Sequence, residues 1–328
     1  MTASMNTASE ISHEIGARGR FVLRIPSGEV RIVGTDTTVA RVRERSGRSL
    51  ADRFEIGLES GSLELVSRKR FGITLSIDRH QWGAGSPDLD VEVPARATIV
   101  VDTASGDVVT RGLVGSQRFR TASGDLALEA TGGDLDIDAV SGDVRIDSSE
   151  VIDLCGKTIS GDVRVRAPRL SRFDMATTSG DMHLDAQLSG KGPFSIKTIS
   201  GDVTLVARGD LQVEAQTITG DLVSEVSHRR ESMPGRKLLV IGRPGPVLAF
   251  KSVSGDLQIV EAREQQVTEM TDSDFPGRPG GSEPTPESPA AGHSEPTEAQ
   301  RLEVLRALER GEIDVDAATH RLAALEEA

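Results

Sequence analysis

Apolar and polar residues alternate over short runs along most of this chain, and many of the runs begin in the same way. Val163 and Val165 are separated by Arg164 and followed by Arg166, directly after a Ser-Gly-Asp tripeptide. Residues 173–175 alternate in the same way before the next such tripeptide. Because successive side chains of a β-strand point to opposite faces, this period of two predicts half-buried strands. One repeating unit therefore holds at least two strands and two corners.

The tripeptide Ser-Gly-Asp or Thr-Gly-Asp recurs eight times and marks the predicted corners. Its successive aspartates are 18, 18, 19, 19, 21, 19 and 35 residues apart, and the long last interval predicts an insertion. A Thr or Ser also stands two positions before most copies, so the unit is Thr-x-Ser-Gly-Asp-apolar-x-apolar. The predicted corner residues are Gly106, Asp107, Gly124, Asp125, Gly142, Asp143, Gly161, Asp162, Gly180, Asp181, Gly201, Asp202, Gly220, Asp221, Gly255 and Asp256.

A strand-rich repeat of 18–21 residues is typical of one turn of a β-solenoid. We therefore predict an all-β fold, a single-stranded parallel β-solenoid (β-helix) with coils of about 18–21 residues. Glycine supplies the backbone conformation that a tight corner needs, while Asp and Ser side chains can cap backbone groups there. Stacked aspartates would repel one another unless each carboxylate is hydrogen-bonded.

The regularity of the repeat also predicts where the solenoid lies in the chain. Residues 101–262 carry the repeats, and residues 1–14 form a disordered N-terminus. Between them, residues 15–100 form a less regular β region that caps the solenoid and covers its open edge. This region contains two degenerate copies of the repeat, Ser27-Gly28-Glu29 and Gly61-Ser62-Leu63.

The C-terminal part of the chain has a different character. Residues 263–296 hold six of the fourteen prolines together with Gly, Ser, Glu and Thr, which predicts a disordered linker. Residues 297–328 regain a helical pattern and predict a small helical hairpin. Its apolar residues are the candidate contacts for a protein partner. They are Leu302, Leu305, Leu308, Ile313, Leu322 and Leu325.

Composition narrows the classes of function. A net charge of −13 argues against a nucleic-acid partner. The single cysteine, Cys155, excludes an intrachain disulfide and lies in an apolar run typical of a core residue. The first twenty residues lack an apolar stretch of signal-peptide length, and no segment has the length of a membrane span. We therefore expect a cytoplasmic protein, at most peripheral to the inner face of the membrane.

The sequence offers candidate residues for three kinds of chemistry: calcium binding, polysaccharide cleavage, and metal binding or catalysis by histidine. Asp125, Asp134 and Asp143 are nine residues apart, as in calcium-binding β-rolls, but an apolar residue follows each aspartate directly. This favours a stacked structural ladder over a calcium site. Carboxylates for polysaccharide cleavage are available, but sugar clefts usually carry aromatic residues, which make up only 3% of the chain. The six histidines are scattered without ligand spacing, so we predict no catalytic, cofactor-binding or metal-binding residues.

The repeated word, with the strand Leu89–Val93 just upstream, resembles the bacterial β-strand-repeat family known as "putative adhesin", a domain of unknown function. The resemblance covers roughly residues 20–262. The tail, residues 302–313, resembles the helical modules called short C-terminal domains. Together they resemble envelope-stress proteins of the Lia type, in which the helical module is N-terminal.

These observations predict a non-catalytic scaffold or interaction protein, and the resemblance implies a role in bacterial cell-envelope stress regulation. The predicted partner is a membrane or regulatory protein bound through the helical module. One alternative is a structural solenoid that self-assembles end to end, which would require homo-association. Another alternative is a polysaccharide-acting β-helix enzyme.

Overall fold

The protein was analysed as a computed structural model, which describes residues 9–68, 86–190, 192–233, 236–243 and 245–262. These residues form 22 β-strands and one four-residue helix, which confirms the predicted all-β class. The predicted linker 263–296 and helical hairpin 297–328 lie outside the described residues. The strands and the helix are β1 (Glu10–Glu14), β2 (Arg20–Ser27), β3 (Val30–Thr35), β4 (Val39–Glu44), α1 (Leu50–Arg53), β5 (Phe54–Glu59), β6 (Ser62–Ser67), β7 (Leu89–Pro94), β8 (Thr98–Ser105), β9 (Val108–Arg111), β10 (Gln117–Ser123), β11 (Leu126–Ser141), β12 (Val144–Ser160), β13 (Val163–Ser179), β14 (Met182–Leu188), β15 (Phe194–Ser200), β16 (Val203–Ala207), β17 (Leu211–Thr217), β18 (Leu222–Ser224), β19 (His228–Met233), β20 (Arg236–Ile241), β21 (Val247–Ser254) and β22 (Leu257–Glu261).

Parallel pairing between successive repeats builds the centre of the molecule. Phe119 in β10 pairs with Val101 in β8 on one side and with Ile137 in β11 on the other. The long strands β11, β12 and β13 pair in the same way through most of each repeat, with local register shifts. Each residue therefore stacks on its counterpart from the neighbouring repeat. The chain forms coils that resemble those of a β-solenoid.

The side chains that point inward from the strands of each coil fill the core. Phe21, Phe119, Phe173 and Phe250 have 1% exposure or less. The hydroxyl residue two positions before most corners also points inward and makes a polar column at the edge of the apolar core, in which Ala139 takes this place before Ser141. The buried hydroxyl residues of the column are Thr103, Thr121, Thr158, Thr177, Thr198 and Ser252.

Stacking order differs from chain order at the C-terminal end. The coil of β21 and β22 lies between the coil of β15 and β16 and the coil of β17 and β18. The outermost coil, formed by β17 and β18, therefore comes earlier in the chain than β21 and β22, which form the coil next to it. The interval between Asp221 and Asp256 contains the connection that makes this order possible.

The N-terminal end shows the same exchange. Strands β2 and β3 pair in parallel with β8 and β9 on one side and with β6 and β7 on the other. Residues 20–35 are therefore a coil of the stack, within the region predicted as an irregular cap. The predicted disorder of residues 1–14 is wrong for Glu10–Glu14, because this segment is strand β1 and pairs with β4.

Antiparallel strands cover the two ends of the stack, and at the C-terminal end they depart from the parallel solenoid predicted for residues 101–262. At the N-terminal end β5 lies along β6, β4 lies along β7, and β1 lies along β4. At the C-terminal end β20 lies along β17, and β19 lies along β20. The insertion before Asp256 is therefore a β-hairpin that covers an edge.

The corner glycines are required because neighbouring corners approach closely. A Cβ atom on Gly161 would lie 2.2 Å from the carbonyl oxygen of Gly142, and one on Gly180 would lie 2.3 Å from that of Gly161. Gly161 also has a φ of +120°, which L-residues rarely adopt. A side chain at this position would have to push two main chains apart.

We expect Gly161→Ala to lower the free energy of unfolding by at least about 3 kcal/mol, because it adds a main-chain clash to backbone strain. Urea denaturation followed by far-ultraviolet circular dichroism measures this loss. Gly47→Ala is the matched control, since Gly47 has a φ of +76° but nothing within 4 Å of its Cβ position. We expect it to cost only about 1 kcal/mol. Equal losses in the two variants would contradict the close-contact explanation.

Candidate functional site

The predicted corner aspartates lie in one continuous column along the stack. The carboxylate of each, except the last, accepts a hydrogen bond from the main-chain N–H of the aspartate in the next coil. Because of the exchange at the C-terminal end, the column runs in the order 107, 125, 143, 162, 181, 202, 256 and 221. The N-to-Oδ1 distances are 3.0 Å for Asp125 to Asp107, 2.9 Å for Asp143 to Asp125, 2.9 Å for Asp162 to Asp143, 2.9 Å for Asp181 to Asp162, 3.0 Å for Asp202 to Asp181, 2.9 Å for Asp256 to Asp202 and 2.7 Å for Asp221 to Asp256.

A second hydrogen bond returns across each pair of corners. The main-chain N–H of Val163 donates to the carbonyl oxygen of Asp181 at 2.9 Å, and Val144 donates to Asp162 at 2.8 Å. Each aspartate thus joins its coil to both neighbours. The repeated carboxylates are structural groups, and their hydrogen bonds run between coils.

The aspartate column has further members that the repeat search missed. The main-chain N–H of Glu29 donates to Oδ1 of Asp88 at 3.0 Å, and the hydroxyls of Ser27 and Ser86 lie 2.8 Å apart. Residues 86–88 are Ser-Pro-Asp, so proline stands where the other corners have glycine. The alternation that follows at 89–93 was the signal that could have identified this corner. The degenerate copy at Gly61 is not a corner of the column, because Ser62 pairs with Arg20 at the start of β2, whereas the corner at Ser27 lies at the end of β2.

The sequence of this chain matches a protein-family model. The model described as Toastrack DUF4097 matches residues 59–260, more than half of the chain. The chain belongs to this family. No curated protein matches the chain.

Several solved structures are similar to this Toastrack chain at low identity. A putative adhesin from Bacteroides fragilis is 10% identical, with 77% of this chain and 96% of that chain covered and a TM-score of 0.45. A putative lipid binding protein from Parabacteroides distasonis is 13% identical, with 79% and 98% covered and a TM-score of 0.43. A putative cell adhesion protein from Clostridium sporogenes is 9% identical, with 78% and 100% covered and a TM-score of 0.23. The family assignment depends on the sequence match alone.

The outer faces of the Toastrack coils carry ion pairs between neighbouring coils. Opposite charges occupy the same register position in adjacent strands, and each such exposed pair stabilises the fold by at most about 1 kcal/mol. The nitrogen-to-oxygen distances are 3.2 Å for Arg24 and Asp102, 2.9 Å for Arg111 and Glu129, 2.8 Å for Arg118 and Asp136, and 3.3 Å for Arg120 and Asp138.

Two arginines near the N-terminal end, Arg41 and Arg45, form ion pairs within the fold. Arg45 lies 2.9 Å from Glu29 and 2.8 Å from Asp90, while Arg41 lies 3.1 Å from Glu92. The hydrogen bond from Arg45 holds the pKa of the Glu29 carboxyl below its usual value, against the opposing effect of burial. These arginines fix the first coils to their antiparallel cover.

The remaining candidates are the single cysteine, a metal site, a membrane span and the residues predicted to bind a partner. Cys155 lies half-buried in β12, and burial raises the pKa of its thiol, which disfavours the reactive thiolate. Among the described residues, no group of His, Cys, Asp and Glu has the geometry of a metal site. The same residues include no helix long and apolar enough to cross a bilayer. The candidate partner residues, Leu302 to Leu325, lie outside the described residues.

We expect Asp162→Ala to lower the free energy of unfolding by about 1–2 kcal/mol, since the N–H of Asp181 loses its acceptor. Asp162→Asn keeps an oxygen at the same place and should cost less than half as much. Asp36→Ala changes an exposed carboxylate outside the column and should stay within about 0.5 kcal/mol of the parent. Urea denaturation of the three variants measures the order. If alanine and asparagine were equivalent, the hydrogen bond would not be the stabilising contact.

His183 should make stability depend on pH. Burial and the facing Arg164 lower the pKa of its imidazole, while Asp185 acts in the opposite direction. The unfolded chain therefore takes up a proton first as the pH falls below about 6.5, which favours unfolding. His183→Asn should remove this contribution, so the urea midpoint of the parent should fall more steeply than that of the variant between about pH 7 and pH 5. Parallel curves over this interval would contradict the assignment.

Proposed function

We propose that this Toastrack chain is a non-catalytic scaffold that binds a membrane or regulatory protein in bacterial cell-envelope stress regulation. It acts in the cytoplasm or at the inner face of the membrane. The observation that carries the proposal is the use of the repeated carboxylates in hydrogen bonds between coils. General acid–base chemistry needs carboxyl groups that are free to contact a substrate, whereas these groups hold the stack together.

The covered ends of the stack favour a scaffold over a polymer. End-to-end assembly needs open strand edges, and antiparallel strands lie along the outer strands at both ends. The short strand β18 is protected differently, because Arg230 donates a side-chain hydrogen bond to the carbonyl oxygen of Leu222 at 3.1 Å. Partners are therefore expected on the outer faces of the coils and at the C-terminal segment.

Recruitment by the C-terminal segment is the specific part of the proposal. The apolar residues at 302, 305 and 308 would form one face of a helix, with 313, 322 and 325 in the following element. An amphipathic helix commonly presents such a face to a groove on a partner. The charged outer faces of the solenoid would then determine which further proteins bind beside the recruited partner.

The test compares proteins captured by the full chain and by a chain ending at Glu295, using affinity purification with crosslinking from membrane and cytoplasmic fractions of the native bacterium. We expect a membrane or regulatory protein with the full chain only. The double variant Leu305→Asp/Leu308→Asp should lose this protein. Gln300→Asp/Ala307→Asp adds the same two charges on the opposite side of the predicted helix and should retain it.

A stress reporter tests the biological process separately. Cells expressing the leucine variant should lose the envelope-stress response to a cell-wall inhibitor, whereas cells expressing the control variant should keep it. Identical captured proteins from the full and shortened chains would refute recruitment by the tail. A normal reporter response without the captured partner would refute the stress role.

A further inference from the structure

A column of hydrogen-bond donors crosses four neighbouring coils on the strands that follow the corners. Arg145 pairs with Arg164, Arg164 pairs with His183, and His183 pairs with Thr204. Paired residues on adjacent strands share one side of the sheet, and the strands are about 4.8 Å apart. Ala127 precedes the column at the same register position. Arg145 and Thr204 are therefore about 14 Å apart across the sheet, and the long arginine side chains must lean towards His183 to reach a common ligand.

The two arginines of this column stack on each other without an acidic partner. Several other arginines stack on carboxylates, as Arg118 does on Asp136 and Arg111 on Glu129. Like charges at this spacing repel, and they also meet at Glu129 and Asp147 and at Lys197 and Lys251. Arg145 and Arg164 are both exposed, and within the described ranges neither side chain forms a hydrogen bond or an ion pair.

Two carboxylates lie beside the column on the same side of the sheet, Asp147 next to Arg145 and Asp185 next to His183. Asp185 is two residues further along the strand from His183, and its side chain has 13% exposure. It contacts Arg208 through both oxygens, and Arg166 lies 3.9 Å away. On the other side, the corner aspartates accept main-chain N–H groups. These carboxylates keep their negative charge, but among the described residues none of them forms an ion pair with Arg145 or Arg164.

We propose that Arg145, Arg164, His183 and Thr204 form a binding site for a phosphate ester group. Two guanidinium groups can each donate a pair of hydrogen bonds to a phosphate, which suits Arg better than Lys. The imidazole N–H and the threonine hydroxyl supply further donors on the same side. This site is independent of the proposed C-terminal recruitment.

The first experiment titrates inorganic phosphate into the full chain and follows the arginine Nε–Hε and histidine ring signals by NMR. Sodium chloride at matched ionic strength is the blank. We expect saturable shifts at Arg145, Arg164 and His183 with phosphate only. In Arg145→Gln/Arg164→Gln the affinity should fall at least tenfold. Arg118→Gln/Arg120→Gln removes the same charge from ion-paired positions and should bind like the parent.

A second pair of substitutions protects the test against misfolding. Arg145→Lys/Arg164→Lys keeps the charge and removes the forked donors, so it should fold like the parent and bind phosphate several-fold more weakly. Binding by this variant at parental affinity would reduce the site to a charge effect and overturn the proposal. Equal losses in the glutamine variant and its control, or equal shifts with chloride, would also overturn it.

Two further ligands identify the source of the phosphate. Glycerol 1-phosphate represents a soluble ester, and mixed phosphatidylcholine and phosphatidic acid vesicles represent a lipid headgroup, with pure phosphatidylcholine as the blank. Sedimentation with the mixed vesicles that requires Arg145 and Arg164 assigns the site to a headgroup. Binding of glycerol 1-phosphate without sedimentation assigns it to a soluble ester. Binding of neither ligand would overturn the proposal.

Discussion

The contact on which the structure depends is the corner-on-corner approach of neighbouring coils. The Cβ position of each stacked corner glycine lies within about 2.5 Å of the carbonyl oxygen of the glycine before it, as Gly142 on Gly124 shows at 2.3 Å. At this separation the aspartate beside the glycine can reach the main-chain N–H of the next coil. The hydrogen bond made by aspartate therefore depends on the close approach that glycine permits. Strand pairing on both sides of the corner inherits its register from it.

The exchange of coils at each end changes how the stack can come apart. Strands β21 and β22 are the last strands of the described residues, and each has a parallel neighbour on both sides. The same is true of β2 and β3 near the beginning. In a simple repeat array, the terminal repeat has one interface and frays first. Here loosening the strand β22 requires breaking two parallel ladders, whereas the first described strand, β1, has only its antiparallel pairing with β4.

The sequence predicted the periodic part of the fold because the corner imposes residues of extreme conformational preference. Glycine and aspartate at fixed spacing are visible without any alignment. The corner at Asp88 was missed because its backbone position accepts proline. The same hydrogen bond is therefore made by the tripeptide Ser-Pro-Asp, which lacks the glycine of the repeat. Coil order was not predictable either, since the interval of 35 residues fits an excursion as well as a return to an open position. The donor column at Arg145 was equally hidden, because it depends on which strands become neighbours.

A solenoid turns sequence repetition into columns of identical side chains, and this limits what may repeat. An apolar column gains from identity, and the aspartate column tolerates it because every carboxylate accepts an N–H. An exposed charged column gains nothing from identity, since like charges then lie about 4.8 Å apart. Opposite charges face one another at several outer positions, as Arg120 faces Asp138 from the next coil, but like charges also meet at Glu129 and Asp147 and at Lys197 and Lys251. Divergence between repeats at the oppositely charged positions stabilises the fold. Where two arginines stack without an acidic partner, as at Arg145 and Arg164, an anionic ligand would remove the repulsion.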